Sequence, residues 1–229
     1  MNTYFFIAPK MNYRKSLILA LVLFLIGGNA SAQIPVEILL GHEKTSFDLM
    51  FFKYLKKQDG NNSRVLFFNR NRASIDYRQT SSAYLPQFGF TEAFSYNHPA
   101  LKGFAPVVVA QLLNRGIYPK AGLQYARLAK DFTFFSWVVA EVQKEPNVDF
   151  FVLTRYTPPL SERLHLYTQL ELVNAFPTVE NKTFSLIQRF RLGLKAGDWQ
   201  YGLGADLSQN GRNTLINTDN FGLFLRHEF

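Results

Sequence analysis

The sequence contains no cysteine among its 229 residues. A disulfide framework, a thiolate metal site, a cysteine nucleophile and a lipid-modified N-terminal cysteine are therefore excluded. Long hydrophobic runs are also lacking: the apolar segment from Leu17 to Ile26 has about ten residues, where a spanning helix needs about twenty. We find no phosphate-binding loop, zinc motif or EF-hand pattern, so no cofactor or metal is expected.

The short apolar run has the organisation of a secretory signal peptide. The basic residues Arg14 and Lys15 precede it, and Ala30-Ser31-Ala32 follows it as a small-x-small cleavage site. We predict that residues 1–32 are a signal peptide with initiation at Met11, and that 33–229 form the mature domain.

The composition is rich in aromatic residues without being hydrophobic overall. The chain has 23 Phe and 11 Tyr, yet its mean hydropathy is −0.08. The predicted signal peptide holds three basic and no acidic residues, so its removal lowers the net charge from +8 to +5. The remaining basic residues are spread along alternating segments rather than gathered on one helix face, so nucleic acid is not an expected partner.

Apolar and polar residues alternate in segments separated by turn-like residues, which predicts β-strands. The clearest segment is Asp198 to Ser208, where Trp199, Tyr201 and Leu203 share one face. The other predicted strands are 35–43, 46–57, 63–78, 87–96, 104–113, 117–128, 131–143, 148–157, 163–174, 182–195 and 220–229. We therefore predict an all-β, antiparallel transmembrane barrel of twelve strands, with ten as the alternative.

The strand count fixes the predicted orientation. A barrel with both ends in the periplasm needs an even number of strands, which requires Val36–Leu55 to be split near Glu43-Lys44-Thr45. Short turns are then expected inside and longer loops outside, including Ser208–Asn220 and Gln79–Pro86. Between Arg64 and Arg78 both faces mix polar and apolar residues, which indicates a short membrane portion or a bulge near Asn69.

The final predicted strand carries one hydrophobic face. Its members, counted in twos, are Phe221, Leu223, Leu225, His227 and Phe229. This pattern resembles the terminal insertion signal of bacterial outer-membrane β-barrel proteins. The resemblance implies an outer-membrane location, with outer-membrane lipid and the barrel-assembly machinery as partners. In strand number and aromatic content the chain is also similar to the twelve-stranded nucleoside-specific channels, although no binding residue carries over.

Charged residues are predicted on the inner phase of the strands, because an Arg facing lipid at mid-bilayer costs about 2–4 kcal/mol. The lumen candidates are Arg70, Arg72, Asp76, Arg155, His165, Tyr167, Glu171, Arg189 and Arg191. They are interpreted either as a selectivity lining for small anionic solutes or as ion pairs that knit the interior together. Phe135, Trp137 and Phe151 are interpreted as core filling or as an apolar track for a sugar ring or nucleobase.

The leading functional hypothesis is a non-enzymatic channel or binding barrel for small polar or anionic solutes. Two alternatives stay open. One is a lipid-modifying hydrolase that uses His165 with Ser185, the nearest serine on a neighbouring strand. The other is a closed scaffold barrel within a protein complex.

Overall fold

The computed structural model describes residues 34–77, 87–114, 116–143, 145–180 and 182–229. The predicted signal peptide at 1–32 and the predicted loop Gln79–Pro86 lie outside these ranges. Twelve strands are present: β1 (Pro35–Gly41), β2 (Lys44–Lys56), β3 (Asn62–Asp76), β4 (Gln87–Tyr96), β5 (Phe104–Leu113), β6 (Gly116–Leu128), β7 (Phe132–Glu141), β8 (Asn147–Tyr156), β9 (Leu164–Pro177), β10 (Phe184–Ala196), β11 (Trp199–Gly211) and β12 (Leu215–Glu228). Within the described ranges, no helix has the length and apolarity needed to cross a bilayer.

Each strand pairs antiparallel with its neighbours along the chain, and β1 pairs with β12 to close the barrel. The closing register runs from Pro35 opposite Glu228 to Gly41 opposite Gly222. Beyond it, Ile34 and Phe229 exchange backbone hydrogen bonds of 3.0 and 3.1 Å. The predicted fold class and the count of twelve are confirmed. We call the end of the barrel that carries Ile34 and Phe229 the terminal end.

The alternation of side chains separates an apolar exterior from a mixed interior. Outward residues of β11 and β12 are highly exposed, with Leu203 at 64% and Leu223 at 63%. Inward residues are buried, with Phe135 at 0% and Glu171 at 1%. Because a closed barrel leaves no unpaired strand edge, its backbone groups are satisfied and the apolar exterior can face hydrocarbon.

One predicted loop is wrong, and one of the two alternatives for β3, the bulge near Asn69, is excluded. The segment Ser208–Asn220 is a hairpin rather than a loop, because β11 and β12 stay paired as far as Gly211 opposite Leu215. The register between β2 and β3 is unbroken around Asn69, and its only irregularity lies between Tyr54 and Lys56. Asn69 therefore faces outward, on the lipid side of the barrel.

Inward-facing glycines leave little side-chain volume on the inner face of β10, β11, β12 and β1. A β-carbon at Gly222 would lie 1.9 Å from the carbonyl oxygen of Leu40, and one at Gly204 would lie 2.6 Å from Cδ1 of Leu39. No larger residue fits at Gly222 without moving backbone. The space left by these glycines is taken by the long inward side chains of the same wall.

Candidate functional site

The candidate site is the barrel lumen, which receives all of the predicted site residues. Each of them lies in the inward phase of its strand, as the pairing registers of β3, β8, β9 and β10 require. The inward set is Arg70, Arg72 and Asp76 on β3, Arg155 on β8, His165, Tyr167 and Glu171 on β9, and Arg189 and Arg191 on β10. The registers place all nine side chains on the inward face, and their role as a selectivity lining stays a prediction. Their partners had to be read from the structure.

A bridge of charged side chains crosses the lumen. Arg70 on β3 contacts Glu171 on β9 at 2.6 Å, and these strands are diametrically opposite in the ring of twelve. Arg70 also pairs with Asp48 on β2 at 2.5 Å. Arg189 donates to the same Glu171 oxygen from the neighbouring strand. The bridge therefore ties two opposite walls of the barrel together.

A second set of ion pairs adjoins this bridge. Asp206 accepts from Arg72 at 2.5 Å and from Arg191 at 2.8 Å. Arg191 also reaches Glu37 on β1 at 2.8 Å. Together the two sets form what we call the central network, with four arginines (Arg70, Arg72, Arg189 and Arg191) and four carboxylates (Glu37, Asp48, Glu171 and Asp206). Its formal charge is zero, so the arginines act here as ion-pair partners that knit the interior.

An aromatic cluster fills the adjoining part of the lumen. Phe68 stacks on Phe135 with ring centroids 5.4 Å apart, and Phe135 lies 4.7 Å from Phe52 of β2. Trp137 and Phe151 pack at 5.0 Å. These rings contact one another and are buried, so they act as core filling rather than as an open track for a ligand ring.

The lumen near the terminal end differs in charge from the central network. Arg155 donates through Nε and Nη2 to Oε1 of Gln169, both at 3.0 Å. Arg226 of β12 is 3% exposed, and its Nε and Nη2 have no hydrogen-bond partner among the described residues. Both guanidinium carbons lie 5.9 Å from the ring centre of Tyr167. Neither arginine forms an ion pair within the described ranges, so positive charge is uncompensated at this level.

A cavity of about 160 Å³ opens beside Arg155. Its wall is made by Lys130, Asp131, Phe132, Thr133, Arg155, Thr157, Tyr167, Lys195 and Glu228. Lys195 is paired with Glu228 at 2.7 Å, and Asp131 is the other carboxylate of the wall. The half-buried Arg155 forms an ion pair with neither of them. The cavity is large enough for a few water molecules or a small anion.

Sequence reasoning missed several lumen residues. Glu37 and Asp48 complete the central network, and Arg226 supplies half of the uncompensated charge. Toward the other end, Lys120 pairs with Asp149 and lies 3.8 Å from Glu141. All of these lie in the inward phase of their strands in the structure, and nothing in the sequence indicated which charge would meet which.

The hydrolase alternative fails on geometry for its named pair. His165 lies opposite Lys195, and Ser185 is ten residues further along β10, about 34 Å at the rise of an antiparallel strand. The two side chains are at opposite ends of the barrel and form no dyad. In the part of the chain that the structure describes, no three His, Asp or Glu side chains are placed to hold a metal ion.

Comparisons with known proteins give structural likeness only. No family model matches the chain, and no curated protein matches it. Among solved structures, it is similar to the KdgM porin, with 10% identity and a TM-score of 0.43 over 86% of this chain and 99% of that chain. A NanC porin gives 8% identity and a TM-score of 0.45 over 87% and 99%. The translocator domain of the autotransporter NalP from Neisseria meningitidis gives 10% and 0.30 over 95% of each chain.

Proposed function

We propose that this barrel lies in a bacterial outer membrane and admits small anionic solutes to its lumen. The observation that carries the proposal is the pair Arg155, which is half-buried, and Arg226, which is buried; neither forms an ion pair with a carboxylate of the described residues. The four arginines of the central network all form ion pairs with carboxylates, whereas Arg155 and Arg226 form none with the described residues.

The location follows from the exterior. Leu203, Leu223 and Leu225 project outward as neighbours on β11 and β12, each exposed by 47% or more. In water such a continuous apolar surface would drive aggregation. In a bilayer it is the surface that a closed barrel requires.

The chemistry of the arginines sets the class of solute. A buried cation without a partner is costly, by several kcal/mol for an ion of this size. A guanidinium offers a planar fork of N–H donors that suits carboxylate and phosphate groups. An anion beside Arg155, or beside the unpartnered Nε and Nη2 of Arg226, relieves that cost. Neutral solutes gain nothing comparable.

Passage beyond this level requires the central network to rearrange. The contact between Arg70 and Glu171 spans the lumen, so a solute on a straight path meets it. An anion replaces a carboxylate as guanidinium partner without leaving the arginine unpaired. Exchange of this kind gives an anion successive binding sites along the lumen. Each site binds the anion strongly enough for it to enter and weakly enough for it to leave, as conduction requires.

A closed barrel that only binds a ligand or a partner is the second candidate. It is favoured by the aromatic cluster, because Phe68 and Phe135 are buried and stacked on each other in the lumen. Such a barrel would hold an anion at the terminal end and would pass nothing.

Planar-bilayer recording separates the two candidates. We expect the wild type to give conductance steps with a preference for anions over cations. The variant Arg155→Gln with Arg226→Gln should lose most of that preference, since it removes the uncompensated charge. Arg127→Gln, which removes one positive charge from the exposed exterior of β6, is the matched control and should retain it.

Two outcomes contradict the proposal. A folded wild-type barrel that gives no steps rejects passage and leaves the closed barrel. An anion preference that is unchanged in the double variant rejects the assigned role of Arg155 and Arg226.

A further inference from the structure

The apolar exterior is interrupted on β3 and β4. Along the outward face of β4, Glu92 lies between aromatic residues on both sides, in the order Phe88, Phe90, Glu92, Phe94 and Tyr96. The neighbouring outward positions of β3 are Asn69, opposite Glu92, and Asn71, opposite Phe90. A carboxyl and two amides therefore lie midway along strands whose other outward residues are mostly apolar. We call these three residues the polar patch.

The polar patch is partly satisfied within the chain. Nδ2 of Asn69 donates to Oε1 of Glu92, and Nδ2 of Asn71 donates to Oδ1 of Asn69 at 3.2 Å. Oδ1 of Asn71 is buried and has no donor. Hydrocarbon supplies none, and polar side chains facing lipid are rare and costly. Oδ1 of Asn71 is enclosed by the chain itself, whereas the second oxygen of Glu92 lies at the surface and calls for a polar partner inside the bilayer.

The residues beside the polar patch have small side chains. Following the register from Glu92, the next outward residues are Ala110 on β5 and Pro119 on β6, with Ala121 one step further along β6. All three are exposed. Small residues let two membrane proteins approach backbone to backbone. The opposite wall carries large residues such as Leu192 and Leu203 instead, which are suited to lipid.

We propose that the outward face of β3 to β6 binds a second copy of this chain in a two-fold symmetric contact. The polar patch carries donors and an acceptor together: the amide of Asn71 holds a spare N–H group, and Glu92 holds a spare oxygen. It is thus complementary to itself, and a two-fold axis sets Asn71 of each copy against Glu92 of the other, which makes the interaction twice. A lipid acyl chain offers neither a donor for the Glu92 carboxyl nor an acceptor for the Asn71 amide.

The absence of cysteine from the sequence makes this contact directly testable with single-cysteine variants. Ala110→Cys, beside the polar patch, should form a disulfide-linked dimer on oxidation in lipid vesicles. Leu203→Cys, on the far wall at 64% exposure, is the matched control and should remain monomeric. Adding Glu92→Leu and Asn71→Leu to Ala110→Cys should lower the dimer yield by about fivefold or more, because the polar contact is lost.

The leucine substitutions exchange polar for apolar groups on a lipid-facing surface, so the barrel itself should still fold. Heat-modifiable migration on gels verifies this for each variant. The proposal is overturned by three results: no dimer from Ala110→Cys, equal dimer from Leu203→Cys, or a yield that Glu92→Leu with Asn71→Leu leaves unchanged. A covalent adduct with a different protein in place of the dimer also overturns it.

Discussion

Arg70 and Glu171 meet at 2.6 Å across the whole width of the lumen, although their strands, β3 and β9, are as far apart around the ring as two strands can be. Both side chains are nearly inaccessible, at 9% and 1% exposure. The contact is therefore a strut between opposite walls, made where water cannot easily replace either partner.

Removal of one partner from this strut should destabilise the barrel. We expect Glu171→Ala to lower the free energy of unfolding by about 3–5 kcal/mol, since it leaves buried guanidinium groups short of a partner. Arg127→Ala, an exposed position on the exterior, should change it by less than about 0.5 kcal/mol. Urea unfolding in lipid vesicles, followed by tryptophan fluorescence, measures both; equal effects would show that the strut contributes nothing.

Removal of both partners should widen the path through the lumen. Arg70→Ala with Glu171→Ala deletes the two long side chains that meet on the barrel axis. We expect single-channel conductance to rise about twofold or more relative to wild type. Asp59→Ala, in the exposed turn between β2 and β3, serves as the control. Conductance that stays the same in the double variant would place the narrowest point elsewhere.

Gly222 should tolerate no side chain. Its β-carbon would lie 1.9 Å from a backbone carbonyl oxygen, whereas that of Gly89 would meet only a leucine methyl at 3.2 Å. We expect Gly222→Ala to cost about 2 kcal/mol or more in unfolding free energy, and Gly89→Ala about 1 kcal/mol or less. The same urea titration compares them, and the reverse order would refute the close approach of β12 to β1.

Phe229 should matter for insertion. Its ring lies 4.4 Å from that of His227, which in turn is 4.3 Å from Trp199. These residues form an aromatic group at the rim of the terminal end, where such rings favour the membrane interface. We predict that Phe229→Asp lowers the amount of heat-modifiable barrel in the outer membrane and that Phe229→Trp restores it. Normal assembly of the Asp variant would remove Phe229 from the insertion signal.

The strands could be predicted where hydrophobic alternation and turn residues coincide. The bounds of β4 and β5 match the prediction at both ends, because turn-like segments flank the alternating residues. The start of β12 was missed, since two adjacent apolar residues, Leu215 and Ile216, are followed by three polar ones and the segment lacks alternation. Its pairing with β11 continues through backbone hydrogen bonds. Where the strands extend beyond the lipid-facing part of the barrel, such bonds form without any hydrophobic alternation in the sequence.

The alternation predicted which residues face the lumen, but not which of them form ion pairs with each other. Arg191 was assigned inward from its strand alone, yet its partner Glu37 is on β1, reached only when the barrel closes. Arg226 was visible on the charged face of the last strand, but its lack of a partner is a property of all the strands around it. Contacts across a ring depend on its diameter and stagger, which local patterns do not encode.

The connectivity of the barrel has a consequence for the order in which it forms. Every strand but one pairs with the strand made just before it, so successive hairpins can assemble with short loop closures. The pairing of Pro35 with Glu228 joins the two ends of the described barrel, and it closes a longer loop than any hairpin does, at a greater cost in chain entropy. Until that step β1 and β12 are open edges with unpaired backbone groups, the state most exposed to wrong partners. The rate at which β1 pairs with β12 sets how long the nascent barrel exposes these edges to other chains.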